Sequence, residues 1–546
     1  MRRTVFCKNN TRQHCVAVLC ILVFTHCSHA LYVPCKPGNG PDLSAQTGPG
    51  LTITIDISHT HQRMKSFGAS DAWSTQYVGL WPDEKREQIA RLLFSIELDS
   101  DNNPAGIGLS GWRFYLGAGS SRDTDPDTRI RDRWRSADTF LNEDYDGYDW
   151  TRLPGQRWFL DKAKQAGVEC LTLFTKSPPV NLTKNGLAYC DPAVGQSNLP
   201  EKNSDAFAEY LVDVLAYFND NLGIEFDYVS PFNEPQWDWE SGSQEGCRYS
   251  NSKISKVVKK LYDEIRDRAL NAKILIPEAG SIDYLYGNPR HPAGNQIYEF
   301  FDIKSSNYIG DKLAAIVAGH SYFTDTEARD IVPHRRKLKA RLDEYEGLSY
   351  AQTEYCILGS DGSGFELRGS GRDLGIEPAL RMARTIHYDL TMTDAVSWDW
   401  WLAVSPFNYK DGLVYIDNNI SDGNYYESKM LWGLGNYSRF VRPAMYRVSL
   451  KRSDGKGPEQ TIDDLMVSAY YNKETENVVI IAVNPTVEDK SFKLRLENLQ
   501  QPANATSIIP YITCADHDLA AGELLDGEGI KIPQKSIVTL ITEIEI

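Results

Sequence analysis

Two stretches of the sequence place a carboxylate directly beyond an apolar run. In Val229-Ser-Pro-Phe-Asn-Glu-Pro-Gln-Trp237, Asn233 and Glu234 close the run from Phe226 to Phe232, and in Tyr350-Ala-Gln-Thr-Glu-Tyr-Cys356, Glu354 follows the run from Ser349 to Gln352. Two carboxyl groups facing each other across a cleft can break a glycosidic bond: one protonates the leaving oxygen and the other acts on the opposite face of the sugar. Glu234 is the expected acid, with a pKa raised by its site, and Glu354 the expected nucleophile, forming a glycosyl ester. Either glutamate alone could as well cap a helix or pair with an arginine. The assignment therefore depends on what brings the two together.

Between residues 67 and 437 apolar runs alternate with helical patterns. The runs are Phe67 to Ala69, Gly108 to Leu116, Cys170 to Phe174, Phe226 to Phe232, Lys273 to Ile276, Ala314 to Ala318, Ser349 to Gln352 and Ala395 to Trp400. Helices are expected at 83–94, 204–219, 252–268 and 377–390. In the second, Phe207, Leu211, Val214, Leu215 and Phe218 recur at three and four residues behind Ser204, read as its cap. Repeated strand-then-helix order implies a parallel sheet, and eight strands over about 370 residues suit an α/β fold of the (β/α)8 TIM-barrel type. A doubly wound open sheet is the alternative, but no Gly-x-Gly-x-x-Gly follows an early strand. In a barrel, strand ends converge on one face, and strands four and seven, carrying Glu234 and Glu354, stand opposite each other.

After residue 440 short strand-like runs follow one another without a helical period: 446–450, 465–471, 478–483, 491–496, 506–512 and 537–543. These predict an attached C-terminal β-sandwich. The alternating segment Leu51-Thr-Ile-Thr-Ile-Asp-Ile57 precedes the barrel and is expected to supply an N-terminal strand to that sandwich. The expected organisation is a leader at 1–30, a segment at 31–66 that contributes this strand, the barrel at 67–437 and the sandwich at 438–546.

Other residues fall at the same barrel face by position. Asp71 and Trp73 follow strand one, and Glu278, in Ile276-Pro-Glu-Ala-Gly280, ends strand five. Glu278 is a third carboxylate at the mouth; because strand five does not face strand four, it is read as a substrate-binding or structural group. Trp237, Trp239, Trp398, Trp400 and Trp401 lie in loops or strand ends at the mouth, where indoles either stack on sugars or fill the core.

Five ordered motifs resemble glycoside hydrolase family 30: Phe67-Gly-Ala-Ser-Asp-Ala-Trp73, Trp112-Arg-Phe-Tyr-Leu-Gly-Ala-Gly119, Ser177-Pro-Pro179, Pro231-Phe-Asn-Glu-Pro-Gln-Trp-Asp-Trp239 and Thr353-Glu-Tyr355. The resemblance runs from about residue 51 to the C-terminus. It implies a retaining hydrolase of β-linked glycans with no cofactor. Asn233 would bind the sugar 2-hydroxyl, Arg113 would keep Glu354 ionised, and His320 and Tyr322 would hydrogen-bond the nucleophile or the substrate. The wording of the first and fourth motifs is most similar to the endo-β-1,6-galactanase-like branch; β-1,6-glucanase, xylanase and glucosylceramidase-like activities are the alternatives within the family. A non-catalytic carbohydrate-binding protein on the same scaffold is the alternative outside it, and the presence of both Glu234 and Glu354 argues against that.

The chain's 58 Lys and Arg against 74 Asp and Glu give a net charge of −16, which repels phosphate backbones and anionic lipid heads, so neither nucleic acid nor a membrane is an expected partner. The expected partner is a β-linked oligo- or polysaccharide, met by a monomer. Arg2, Arg3, Lys8 and Arg12 precede an apolar run from Cys15 to Phe24 and the exit Ser28-His-Ala30; this is the pattern of a secretory leader, too short to span a bilayer. An extracellular protein is expected. Cleavage would leave Cys35, Cys170, Cys190, Cys247, Cys356 and Cys514, with Cys190 and Cys247, in polar loops, the best candidates for a bridge. No Cys-x-x-Cys or His-x-x-x-His spacing supports a metal site. Sequons begin at Asn181, Asn419, Asn436 and Asn504.

Overall fold

The computed structural model of the chain describes residues 40–45, 50–326, 328–358, 371–498 and 507–543. The expected leader, Cys35 and Asn504 lie outside the described residues.

Two sheets organise the protein. The first strand, β1 (Thr52–Arg63), belongs to the second sheet. The barrel begins with β2 (Ser66–Ser70) and continues through β3 (Gly111–Tyr115), β4 (Cys170–Phe174), β5 (Tyr228–Ser230), β6 (Lys273–Ala279), β7 (Leu313–His320), β8 (Ser349–Glu354) and β9 (Ser397–Ser405). Each is parallel to the next, and β9 pairs with both β8 and β2, closing an eight-stranded parallel barrel. Two further strands, β10 (Gly412–Ile416) and β11 (Tyr425–Glu427), extend the sheet beyond β9.

The periodic segments fold as helices at Asp83–Phe94, Ser204–Leu222, Asn251–Asp267 and Ile376–Met392. Ser204 is not the cap of its helix. It takes the first helical position, and its Oγ instead accepts a hydrogen bond from Lys253 Nζ at 2.7 Å. Ser250 does cap the next helix, accepting from Lys253 N–H at 3.3 Å.

The remaining strands are β12 (Tyr446–Arg452), β13 (Met466–Tyr471), β14 (Val478–Asn484), β15 (Lys490–Glu497), β16 (Ser507–Thr513), β17 (Ala520–Ala521), β18 (Ile530–Ile532) and β19 (Ser536–Glu543). Where the sequence suggests two facing sheets, they form one curled nine-stranded sheet in the order β17-β16-β19-β14-β13-β12-β1-β15-β18. The reason is β1. It pairs antiparallel with β12 and parallel with β15, so the N-terminal strand is the seam that makes two halves continuous.

Alternation along these strands divides their side chains between two cores. Ile53, Ile55, Val478 and Ile480 face the inside of the curl with Phe492, Ile530 and Leu540, whereas Val479, Ile481, Val483, Ile537 and Ile541 join the core shared with the barrel. A strand buried on both faces reads as a continuous apolar run, as Val478-Val-Ile-Ile-Ala-Val483 does. The helix Lys429–Ser438 is fully buried from Met430 to Ser438 in that shared core. Asn436 sits within it, donating to Thr539 Oγ1 at 2.9 Å, so this sequon is closed to glycosylation in the folded protein. Asn181 and Asn419 are exposed. All five described cysteines are free; Cys190 and Cys247 are both buried, the Cys247 thiol donating to Arg248 O at 3.5 Å, without the expected bridge. No helix among the described residues is long and apolar enough to cross a membrane.

Candidate active site

Glu354 is the last residue of β8, where the pleat and the barrel curvature deliver its side chain to the C-terminal mouth. Its backbone N–H donates to Gln352 Oε1 at 2.6 Å. Its carboxylate receives Arg113 Nη1 at 3.4 Å and the Tyr322 hydroxyl at 3.2 Å. Arg113, in β3, is fully buried and also stands 3.5 Å from Glu278 Oε2, so one guanidinium serves two carboxylates.

Glu234 lies four residues beyond β5 and has a φ of 43°, in the left-handed region that non-glycine residues rarely occupy. Hydrogen bonds hold it there. Its N–H donates to Glu278 O at 2.8 Å, its carbonyl accepts from Trp239 Nε1 at 3.0 Å, and its Oε1 accepts from His320 Nδ1 at 3.0 Å. His320, the end of β7, gives its other ring nitrogen to Glu278 Oε2 at 3.1 Å. Burial opposes charge on this imidazole, but the charge of Glu354 and the hydrogen bonds to Glu234 and Glu278 outweigh it and push the pKa up to about 9. His320 is therefore an imidazolium donating from both nitrogens.

Glu278 is fully buried at the foot of this group. Burial raises its pKa, yet Arg113 and His320 overcome that and hold it at about 2. Ser230 Oγ donates to one oxygen at 2.9 Å, and Thr353 Oγ1 and His320 donate to the other. With both oxygens engaged and no place in the cleft lining, Glu278 is an anchor for His320 and Arg113. Single oxygens of Glu234 and Glu354 and a ring nitrogen of His320 all lie within 4.8 Å of one another, a spacing that could hold a metal ion.

Glu234 and Glu354 line one cavity of about 310 Å³, with Trp73, Trp237, Trp239, Tyr322 and Phe323. Several residues expected at the mouth are elsewhere. Trp398 and Trp400 are fully buried, their indoles donating to Asp389 Oδ2 at 3.0 Å and Asp411 O at 2.8 Å. They belong to the core because in β9 residues 398 and 400 share the face turned away from Trp401, which is the β9 indole that lines the cavity. Asp71 is buried too, accepting from Tyr115 N–H at 2.6 Å and Gln156 Nε2 at 3.3 Å; burial raises its pKa well above the usual range, and it ties β2 to β3 instead of reaching the cleft. Asn233 is buried beside Glu234, outside the cavity lining, and neither its side-chain oxygen nor its nitrogen has a protein partner.

The cleft also contains residues that sequence reading passes over: Arg135, Lys176, Gln244, Tyr409 and Asp411. Lys176 carries a legible signal, since it stands just past β4, the same strand-end position that marks Glu234 and Glu354. Arg135 and Gln244 come from long loops and carry none. Burial pushes Asp411 up to about 6, against the hydrogen bond from Ser405 Oγ at 2.7 Å.

Against known proteins, the model of O-glycosyl hydrolase family 30 matches residues 50–415, which takes in the whole barrel and every residue of this mouth. The chain belongs to that family. Among similar proteins, the endo-β-1,6-galactanase of Hypocrea rufa is 27% identical over 260 residues, 44% of this chain and 52% of that one; the chain spans about half the length of the relative it matches. Among solved structures, a conserved exported protein from Bacteroides fragilis superposes with a TM-score of 0.82 at 29% identity, covering 90% of this chain and 100% of that one. The catalytic domain of the family 30 xylanase C from Talaromyces cellulolyticus gives a TM-score of 0.63 at 19% identity, covering 90% and 99%. At that identity the likeness speaks for the fold alone.

Proposed function

We propose that this family 30 chain is a secreted, retaining hydrolase of a β-linked polysaccharide, with β-1,6-galactan as its substrate. The observation that carries the mechanism is the approach of a Glu234 oxygen and a Glu354 oxygen to within 4.8 Å across one cavity. Retaining pairs stand about 5–5.5 Å apart, whereas inverting pairs leave about 6.5–9.5 Å for a water molecule. In the first step Glu234 gives its proton to the glycosidic oxygen as a Glu354 oxygen attacks the anomeric carbon, releasing the leaving sugar and forming a glycosyl ester. In the second, Glu234 takes a proton from water, the water oxygen attacks the anomeric carbon, and Glu354 leaves as carboxylate.

The surroundings suit these roles. Arg113 and the Tyr322 hydroxyl direct positive charge and a donor at Glu354, the group that must be ionised to attack. The side-chain amide of Asn233, buried beside Glu234, has no protein partner; the family resemblance gives it the sugar 2-hydroxyl, a contact that strengthens as the oxocarbenium ion develops. The galactan assignment is supported by the Hypocrea rufa relative, and export by the basic-apolar-small pattern of residues 1–30 together with the exported Bacteroides fragilis protein.

Glu354→Ala is expected to abolish hydrolysis and to be rescued by azide, which forms a glycosyl azide of inverted configuration. Glu234→Ala is expected to cost about 10²–10⁴-fold on polysaccharide yet spare aryl glycosides whose leaving group needs no proton. Equal losses on both substrates would remove Glu234 from the acid role. A panel of β-1,6-galactan, β-1,6-glucan and glucuronoxylan with product mapping tests the substrate; turnover of glucan or xylan in preference to galactan would overturn it.

A further inference from the structure

Two cations in the cleft lie over a shared aromatic ring, that of Trp73. Lys176 is 2% exposed. Its Nζ lies 4.0 Å from the Trp401 ring centre and 4.8 Å from that of Trp73. Among the described residues its hydrogen-bond acceptor is Gln244 Oε1 at 3.2 Å, and it has no carboxylate partner within 4.0 Å. The Arg135 guanidinium lies 5.1 Å from the same Trp73 ring and 4.9 Å from Phe407; its ion contact, with Asp132, is a long 3.6 Å, and its Nε is buried without a hydrogen-bond partner.

Bringing two like charges onto one indole inside a cavity costs energy by mutual repulsion and by desolvation. Burial does push the Lys176 pKa down, against the attraction of Glu354 and Glu234. An ammonium carries three donors and a guanidinium five, and most of those on this pair are not spent on protein acceptors. The ring itself is hemmed in, edge to face with Trp401 at 5.1 Å and with Phe407 at 5.7 Å. Such a ring holds the cations in position and is poorly placed to stack on a sugar.

Building on the glycosidase reading, we infer that Lys176 and Arg135 are a specificity-determining donor pair that binds acceptor oxygens of the sugar in the cleft, with Trp73 as the positioning residue that holds both. The acceptors are ring hydroxyls or the carboxylate of a uronosyl unit, since both present the same electron-rich oxygens to a cationic donor.

The test uses the full chain with β-1,6-galactotetraose and the same oligosaccharide capped by glucuronate. Lys176→Met and Arg135→Met are each expected to raise KM about 10- to 100-fold, the worth of a hydrogen bond from a charged donor, while kcat changes less than about threefold. The melting temperature should hold, and Lys176→Arg, which keeps donors at the site, should recover most of the loss. Equal losses on the two substrates assign the pair to hydroxyls; a loss confined to the capped one assigns it to the carboxylate. An unchanged KM in both methionine variants overturns the inference. So does a fall in kcat at constant KM, which would make Lys176 a partner of the catalytic pair. If Lys176→Met does not fold, Arg135→Met gives the same reading alone. A wild-type protein inactive on every polysaccharide would instead remove the glycosidase reading, an outcome distinct from either.

Discussion

The curled sheet and the barrel mouth obey different rules. In the sheet, Ile53, Ile55, Ile480 and Leu540 fill an apolar core, and the left-handed residues nearby, Glu476 and Lys535, sit in turns between strands. In the mouth, Trp73, Glu234, Trp239 and Glu278 all have positive φ, and buried polar atoms of Asn233 and Trp73 lack protein partners. Arg113, His320, Glu234, Glu278 and Glu354 are packed into one hydrogen-bonded knot. A sheet of the first kind is held by burial and tolerates no missing strand. A mouth of the second kind stores strain and open hydrogen-bonding capacity, which the rest of the fold must support.

The largest effect that sharpens this contrast is expected from removing β1. Because it lies between β12 and β15, its loss leaves two unpaired edges and opens the core that Ile53 and Ile55 fill. A chain beginning at Ser66 should be insoluble or unfolded, measured by circular dichroism and gel filtration, although every mouth residue is intact. Recovery of a folded, fully active fragment would show that barrel and sheet are separable and would break the comparison.

The contrast also explains what the sequence could say. The eight barrel strands and the pairing of Leu51–Ile57 with the C-terminal sheet are legible because period-2 alternation and continuous apolar runs are caused directly by burial. Glu234, Glu354 and Lys176 stand at strand ends, where barrel geometry turns position in sequence into position in the cleft. The indoles of β9 are harder. Trp398, Trp400 and Trp401 are near neighbours in the sequence, and which of them faces the cleft is set by the strand's register, a property of its partners β2 and β8. Arg135 and Gln244 arrive on long loops whose paths depend on tertiary contacts. Asp71 and Glu278 read as site residues by position and proved to be engaged by buried donors, a distinction that only the surroundings supply.

A second, smaller effect tests whether the mouth depends on its charge knot. The His320 pKa in the fold, about 9, lies above the ordinary 6.5. The folded state therefore binds the proton more tightly, and the stabilisation this brings is full below about pH 6.5, declines above it and is gone once pH has risen through about 9. Denaturation midpoints across that window should fall more steeply for the wild type than for His320→Gln, which cannot titrate there. Parallel profiles for the two proteins would mean that the imidazolium does not hold the mouth together.

The smallest expected effect concerns the wall of the cleft. A Cβ built on Gly246 would come within 2.4 Å of Trp239 Cδ2, and the nearby contacts at 2.6 Å are also atoms of the indole. Gly246 has no left-handed φ, so alanine costs nothing in backbone conformation; the whole consequence falls on the ring. Trp239 is anchored through Nε1 to the carbonyl of Glu234, so the ring cannot yield without disturbing the loop that carries the proposed acid. Gly246→Ala should therefore leave the melting temperature within about 2–4 °C of the wild type, the shift that about 1 kcal/mol produces in a chain of this size or smaller. It should nevertheless lower kcat/KM several-fold on polysaccharide. Loss of stability without loss of activity would reverse the assignment, making Gly246 and Trp239 part of the packed structure and moving the boundary between the two regions inward, toward the carboxylates themselves.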